Sequence, residues 1–508
     1  MKRFIFSCAV AAMIGASWSC TNLEYDNQDS RLSEASGAGS CSPDIDAVIS
    51  SVYAQIGNYI QGQTNTFALM EHTSDEMIGP TRGTDWSDNG VWRSLHAHNW
   101  DPTHPYVLSA WNDLNSGLFD ANEVVSCSQN ADQEAEGRFL RAFFMYHLVD
   151  FFGQVPIREV DDLPSVDPRV LSRADATAQI INDLETAIAG LPESTEVGVA
   201  TKNAARALLT RVYLNRGVYD AGDPVGPYNF SAADMDKVIE YADALAGYQL
   251  EDQYFNNFTP DNGENSSELI FSIPNAPGNI VGAGDGPQNC YFMTLHYNQN
   301  PSGWNGFTTL ADFYNKFEDG DQRKGGYDWP GLTDVSGLRP GFLIGQQFDA
   351  DGNPINDRSG SPLIYSADVK LSGNTENTGI RVIKYIPDYS NLNAPGNDYV
   401  LVRYGEVVLN KAEALLRKGD AGGALALVNE LRAARGAAAL SSIDEAGMLD
   451  ERGRELYWEG HRRTDQVRFG TFLNAWSEKL QSPPSRVLFP IPQQAIDSNP
   501  NLVQNPGY

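Results

Sequence analysis

The stretch DYVLVRYGEVVLNKAEALLRKGDAGGALALVNELRAARG, residues 398–436, carries the pattern that decides the fold. Apolar and small side chains recur in it at steps of three and four residues, which places them on one face of a helix. They are Leu401, Tyr404, Val408, Ala412 and Leu415. Gly419 and Asp420 separate this helix from a second, alanine-rich one. The stretch therefore predicts two antiparallel helices, over 398–419 and 421–436, that pack closely.

Similar helical patterns recur along the chain. The segments are 43–60, 131–153, 173–190, 201–217, 231–247 and 444–460. The pair 398–436 has about the length and small-residue placement of a tetratricopeptide repeat, and the pair 201–247 is a looser copy. Such repeats stack into a curved solenoid, because each leaves an apolar face that only a neighbour covers. Glycines are expected to end the helices with left-handed caps: Gly190, Gly217, Gly247, Gly419 and Gly436.

Long irregular stretches rich in Gly, Asn, Asp, Pro and aromatic residues separate the helical segments. Loops of this length are functional or disordered, and their aromatic content argues against disorder. Clusters of β-branched residues predict short strands at 268–274, 363–366 and 380–387. The fold class is thus mainly α, a tetratricopeptide-like helical-repeat scaffold with long irregular loop-rich insertions and a few short β-strands. The scaffold is expected mainly over 43–61, 105–247 and 398–480, and the ligand-binding loops over 72–104 and 250–397.

The amino terminus has the pattern of a secretory signal. Lys2 and Arg3 precede an apolar run, residues 4–18, that is too short to span a bilayer as a mature helix. Ser19 before Cys20 suits a lipoprotein cleavage site, at which the cysteine sulfur receives a lipid; simple secretion is the alternative. The segment that follows is polar, small and acidic, as flexible tethers are. We therefore predict a signal peptide over 1–19, a lipid-anchored tether over 20–42 and a single domain over 43–508.

The net charge and the cysteines exclude two classes of protein. A formal charge of −30 repels phosphate backbones, which argues against nucleic acid as a partner. After the leader and the lipid site are set aside, Cys41, Cys127 and Cys290 remain, so at most one intramolecular disulfide can form. An apolar core, rather than a disulfide framework, must therefore stabilise the fold.

Four blocks of the sequence resemble the SusD/RagB family of outer-membrane lipoproteins, in the expected order. They are AEGRFLRAFFMYHLVDFFGQVPI, VRYGEVVLNKAEALLRKG, ERGRELYWEGHRRTDQVRFG and the terminal LFPIPQQAIDSNPNLVQNPGY. The resemblance implies a lipid-anchored protein at the cell surface that captures oligo- or polysaccharide and closes over a SusC-like TonB-dependent transporter. It also implies four tetratricopeptide-like repeats with an irregular ligand-binding half.

The stretch RGTDWSDNGVWRSLHAHNW, residues 82–100, has the composition of a sugar-binding loop. A pyranose ring has apolar C–H faces and a rim of hydroxyl groups, so it needs flat aromatic surface beside amides, carboxylates and guanidinium groups. Trp86 is the candidate platform, although core packing is the alternative. Core packing suits Trp92 and Trp100 better. The candidate polar partners of the ligand are Arg82, Asp85 and Asn89.

A second aromatic group lies in NCYFMTLHYNQNPSGWNGF, residues 289–307, and in YDWPG, residues 327–331. Trp304 is framed by small and amide residues, with Asn305 beside it as a candidate hydrogen-bonding partner. Tyr291 and Trp329 are further candidate platforms. Loop sequences vary too much within the resembling family for a residue-by-residue match, so this choice rests on local composition.

Several other patterns have a structural interpretation that outweighs a chemical one. His96, His98 and His104 could bind a metal, but no settled ligand spacing accompanies them, which favours ordinary hydrogen-bonded histidines. Residues 349–357, DADGNPIND, offer oxygen ligands at alternating positions for calcium; a turn between two short strands is favoured, because the closing glutamate is absent. The charged residues of 451–465 are expected to form ion pairs rather than a glycosidase site. The proline-rich carboxyl-terminal block is expected to run extended over the helices.

The sequence predicts a binding protein rather than an enzyme, because no nucleophile motif, phosphate loop or dinucleotide fingerprint is present. We expect no cofactor. The predicted function is capture of a glycan at the cell surface and its delivery to a SusC-like transporter. Capture of oligopeptides on the same scaffold is the first alternative, and a secreted glycosidase is the second.

Overall fold

Helices dominate the structure, a computed structural model that describes residues 41–163, 165–280, 286–287 and 289–508. The signal peptide, Cys20 and nearly all of the predicted tether lie outside the described residues. The helices are α1 (Ile45–Ile60), α2 (Asn65–Glu71), α3 (Val91–His96), α4 (Pro105–Cys127), α5 (Ala131–Phe152), α6 (Arg173–Gly190), α7 (Lys202–Tyr219), α8 (Ala232–Asp243), α9 (Asn262–Asn265), α10 (Asn289–Phe292), α11 (Ala311–Tyr314), α12 (Thr333–Ser336), α13 (Tyr404–Arg417), α14 (Ala421–Ala434), α15 (Glu445–Leu456), α16 (Arg462–Arg468) and α17 (Gln493–Ser498).

Short strands pair only in twos within the described residues. They are β1 (Gln154–Ile157), β2 (Arg169–Ser172), β3 (Leu269–Ile273), β4 (Gly341–Leu343), β5 (Gly345–Gln346), β6 (Ile364–Tyr365), β7 (Arg381–Ile383) and β8 (Tyr399–Arg403). The antiparallel pairs are β1–β2, β3–β8, β4–β7 and β5–β6. Strands predicted at 268–274, 363–366 and 380–387 are confirmed as β3, β6 and β7.

The long helices form one continuous stack. Each helix from α4 to α7 packs on the one that follows it, α8 packs on α13, and α13 packs on α14. The two helix pairs that the sequence predicts as repeats are α7–α8 and α13–α14, so the mainly α, helical-repeat fold is confirmed. None of the helices in the described part of the chain combines the length and the apolar character that a membrane crossing requires.

Two local predictions about the helices are wrong. Residues 399–403 form strand β8 rather than the first turn of a helix, because their backbone groups pair with β3 in the same buried core. Gly419 and Gly436 adopt the predicted left-handed conformation after α13 and α14, but Gly190 and Gly217 lie within α6 and α7. Gly247 is left-handed but lies beyond the end of α8. At Gly217 a side chain is excluded by space instead, since a Cβ would lie 2.4 Å from the Asn229 carbonyl oxygen.

The charged block 451–465 is buried and forms ion pairs, as predicted, but mostly with distant elements. Glu455 is fully buried and accepts hydrogen bonds from Arg403 and Arg435, at 2.7 and 2.8 Å. Arg462 pairs with Asp75 at 2.6 Å. Pairs three residues apart, such as Arg454 with Glu451, are the minority. These pairs join the carboxyl-terminal helices to β8, α14 and the segment after α2. The charged block therefore has a structural role.

The carboxyl terminus packs on the scaffold, and a disulfide joins Cys41 to it. Phe489 and Ile491 are buried, and the Asn505 side-chain amide donates to the carbonyls of Phe152 and Phe489. The terminal block is therefore packed as predicted, although α17 interrupts its extended course. Cys41 forms a disulfide with Cys127, which agrees with the prediction of at most one intramolecular bridge, and Cys290 is a free, buried thiol.

Candidate functional site

Trp86 and Trp304 meet at the surface of the irregular half of the molecule. The Trp86 indole Nε1 donates a hydrogen bond to the Trp304 carbonyl oxygen at 2.8 Å, across 218 residues of sequence. Gly306 makes this contact possible, because a Cβ at that position would lie 2.4 Å from Cζ2 of Trp86. The two loops that sequence composition singles out are thus fixed against each other.

The two indole rings differ in exposure. The Trp304 side chain is 39% exposed, and its ring leans on Phe292 with the centroids 5.7 Å apart. Trp86 is half-buried and packs on Phe307, with the centroids 4.9 Å apart. Trp92 and Trp100 are buried core residues, as predicted. Trp304 therefore offers an open ring face, and Trp86 offers part of one.

A tyrosine and an arginine that the sequence analysis did not select extend this surface. The Tyr297 hydroxyl donates to Oδ2 of Asp85 at 2.9 Å, and the Arg358 guanidinium donates to the same oxygen at 3.2 Å. The Arg358 guanidinium carbon lies 4.0 Å from the centre of the Tyr297 ring. Burial and the Asp85 carboxylate raise the pKa of Tyr297 to about 12, so the phenol remains a donor. We call the surface formed by Asp85, Trp86, Tyr297, Trp304 and Arg358 the aromatic face.

Glu376 lies behind Arg358 and is held ionised. Its carboxylate accepts from Arg358 Nε and lies 3.1 Å from His296 Nε2. Burial favours the neutral acid, but the hydrogen bonds from Arg358 and His296 outweigh it and lower the pKa of Glu376 below its ordinary value. A glycosidase general acid needs the opposite shift, since it must carry a proton near neutral pH. The arrangement of Glu376 suits a structural anion.

Arg82 and Asn305, which the sequence analysis proposes as ligand contacts, are buried instead. Arg82 donates to the carbonyl oxygens of Thr375 and Thr378, at 2.8 and 2.7 Å, and to that of Gly306. The Asn305 side-chain oxygen accepts from Arg381 at 2.7 Å. Both residues position loops below the aromatic face.

The remaining candidates lie in three different settings. Tyr291 is completely buried, and its hydroxyl donates to the Leu392 carbonyl, so it cannot stack on a ligand. Trp329 is half-buried and packs on Phe255 and Tyr327. Asn89 is exposed in a left-handed turn near Trp86, where its amide is open to solvent.

The histidines and the acidic loop have protein partners. His96 contacts the carbonyls of Met77 and Ser477, and His98 contacts that of Thr73, all within 3.1 Å. Asp349 accepts from the backbone amides of Asp351 and Asn353, in the turn between β5 and β6 that the sequence predicts. Among the residues that the structure describes, no three His, Cys, Asp or Glu side chains are grouped as metal ligands would be.

Comparison with known proteins adds evidence on family and fold. A model described as the SusD family matches residues 267–508, and one described as starch-binding associating with outer membrane matches residues 27–214. The starch-binding protein SusD of Bacteroides thetaiotaomicron is 28% identical to the chain over 497 residues, which cover 87% of this chain and 85% of the relative.

Solved structures share the architecture over nearly the whole chain. A laminarin-binding SusD-like protein is 23% identical, with a TM-score of 0.69 over 92% of this chain and 100% of the other. Surface glycan-binding protein A from Bacteroides uniformis is 20% identical, with a TM-score of 0.63 over 91% and 98% of the two chains. At sequence identities of 20–23%, these structural similarities establish the fold of the chain and nothing more.

Proposed function

Because the chain belongs to the SusD family, we propose that it binds a glycan on the aromatic face and delivers it to a SusC-like TonB-dependent transporter. The exposed Trp304 ring beside charged and amide groups carries this proposal. An open indole suits the C–H face of a pyranose, while Asp85, Asn89 and Arg358 suit its hydroxyl groups. The geometry around Glu376 supports binding rather than hydrolysis.

The named relatives support a glycan over a peptide as the cargo. One is a starch-binding protein, one binds laminarin and one is a surface glycan-binding protein. A peptide ligand would need rows of backbone donors and acceptors, whereas the aromatic face offers ring surface bordered by side chains. Glycan capture is therefore the function that we propose for this chain.

We place the protein at the outer membrane, facing outward and anchored by a lipid on Cys20. The family model over residues 27–214 is described by its association with the outer membrane. The leader pattern before Cys20 supports the lipid anchor, and a net charge of −30 suits a partner other than nucleic acid. A capture protein needs a pore for its cargo, which supports a transporter as its partner.

The test is retention of the soluble chain 21–508 on native gels that contain single polysaccharides, with an oligopeptide panel measured by calorimetry. We expect at least one polysaccharide to retard the chain and Trp304→Ala to weaken the retardation strongly. Phe119→Ala is the matched control, because Phe119 is 41% exposed on helix α4, outside the aromatic face. Oligopeptide binding without polysaccharide retention would contradict the proposal.

A further inference from the structure

An open cleft lies next to the aromatic face and has no role in the site described above. It encloses about 420 Å³ between the segment 319–326 and the segment 342–348. Small-ligand sites occupy about 300–1,000 Å³, so the cleft has room for one or two sugar rings. The side chains that line the cleft indicate which chemical class of ligand it suits.

The walls combine an aromatic ring, an exposed aliphatic side chain and balanced charges. Tyr314 is half-buried, with its ring against Phe342 at 5.4 Å, and Ile344 is 40% exposed. Lys324 pairs with Asp319 at 2.6 Å, and Arg339 pairs with Asp328 at 2.8 Å.

Each of these two cations already has a carboxylate partner that is open to solvent. An anionic ligand would therefore gain little from them, since it would compete with a protein carboxylate. A neutral polyhydroxyl compound can use Lys324, Asp319 and Arg339, which all line the cleft, because its hydroxyl groups both donate and accept hydrogen bonds. Together with the Tyr314 and Ile344 surfaces, this favours an uncharged saccharide.

Two consecutive glycines keep the cleft open. Gly325 is fixed against β4, because a Cβ there would lie 1.8 Å from the Pro340 carbonyl oxygen. Gly326 is also left-handed, but a Cβ there would meet no atom within 4 Å. A side chain at Gly326 would extend into open space, whereas glycine leaves the backbone of this lining residue accessible.

A buried hydrogen bond links the cleft to the loop that carries Tyr297 of the aromatic face. Gln347 lines the cleft, and its side-chain oxygen accepts from the buried amide of Gln299 at 3.3 Å. Gln299 is fixed by the Tyr365 hydroxyl at 2.7 Å and lies two residues after Tyr297. Two residues span at most about 7 Å, so a linear glycan of a few sugars is long enough to reach both surfaces.

We propose that this cleft is a second saccharide subsite, which binds a further part of the glycan held on the aromatic face. The proposal rests on the proposed function. Occupation of the first site raises the effective concentration of the rest of the chain at the second, so long glycans bind more tightly than short ones.

The test compares ligands of different length on matched variants. The probe is the polysaccharide that the retention panel identifies, with oligosaccharides cut from it; starch and laminarin are tested first. Tyr314→Ala and Arg339→Ala are expected to weaken polysaccharide binding about tenfold and to leave the affinity of the shortest bound oligosaccharide unchanged. Arg169→Ala is the control, because Arg169 forms an exposed carboxylate pair on β2, with Glu159 at 2.9 Å.

The outcomes separate the subsite from the proposed function. Polysaccharide affinity that depends on Trp304 but not on Arg339 would overturn the subsite alone. An equal loss for short and long ligands would also overturn it, since the cleft variants would then act on the aromatic face. Absence of any glycan binding would overturn both proposals. Because Arg339 lies at the surface, its substitution keeps the test valid if Tyr314→Ala fails to fold.

Discussion

Gly306 is the residue on which the aromatic face depends most. A methyl group there would lie 2.4 Å from the Trp86 ring and 2.6 Å from the Met293 carbonyl, so Gly306→Ala must displace Trp86. We expect glycan affinity to fall about tenfold in calorimetry, since overpacking typically costs about 1–3 kcal/mol. Gly222→Ala is the control, because a Cβ at Gly222 meets no atom within 4 Å. Unchanged affinity in Gly306→Ala would show that the position of Trp86 is irrelevant to binding.

Single residues of the site were predictable where local composition decides their exposure. Trp304 is exposed because small residues surround it in the sequence, a signal that can be read without the fold. The burial of Arg82 and Tyr291 was not predictable from local sequence, because the residues that cover them are far away in the chain. Arg82 is covered by Thr375 and Thr378, and Tyr291 is covered by Leu392. Tyr297 could have been selected, because it lies between His296 and Asn298 in the same aromatic loop.

At the scale of elements, periodicity predicted the long helices but not where an apolar run changes conformation. Helices α5, α6 and α14 begin within one residue of the predicted positions. The run over 398–419 contains strand β8 and helix α13, because a short buried strand and a buried helical turn have the same apolar composition. Only the pairing with β3, more than a hundred residues earlier, distinguishes the two.

A carboxyl group at the end of α2 makes the stability of the fold fall as pH rises. Burial raises the pKa of Glu71 from 4.5 to about 7, so Glu71 stays protonated in the fold while it ionises in the unfolded chain. Its stabilising contribution is complete below about pH 4.5 and is lost as pH rises to about 7. Glu71→Gln cannot ionise and retains an acceptor for the Gly460 amide. We expect its melting temperature to rise relative to that of the wild type across this window.

Glu413→Gln is the contrasting variant for this measurement. In the wild type, burial acts to raise the pKa of the Glu413 carboxyl. The charges of Arg468 and Arg417 outweigh burial and lower this pKa to about 2. Its contribution is therefore present above about pH 4.5 and is lost as pH falls towards 2, so this variant should be least destabilised in acid. Melting curves from pH 2 to pH 8 check both signs, since they cover the window of Glu413 below pH 4.5 and that of Glu71 above it. A constant difference from the wild type for Glu71→Gln would contradict the assignment.

At the scale of the whole molecule, we expect the protein to be held to the membrane by a lipid on Cys20 alone. Cys20→Ala should move the protein from the membrane fraction to the soluble fraction without a change in melting temperature, because the sequence places Cys20 in a tether that is predicted to lie outside the folded domain. Fractionation after a high-salt wash checks this result. A variant that stays membrane-bound would show that lipid on Cys20 is not the anchor.

The transporter partner is tested on the same scale. The mature protein, purified in mild detergent from cells that express the transporter, should carry a TonB-dependent barrel with it. A preparation without any barrel under these conditions would contradict delivery of the cargo to a pore.

Overall architecture was predictable because helical repeats and family blocks extend along the whole chain, whereas the partner leaves no comparable pattern in one sequence.

The most direct test of the central claim is a pair of measurements on Trp304→Ala, calorimetric titration with the retained glycan and thermal melting without it. By analogy with nucleobases, whose stacking on an aromatic side chain contributes on the order of 1–3 kcal/mol, we expect an affinity loss of about tenfold to a hundredfold. The melting temperature should shift by no more than a few degrees, because the ring is exposed rather than packed in the core. Unchanged affinity, or a melting temperature that falls by much more than a few degrees, would contradict glycan binding on an exposed Trp304 ring.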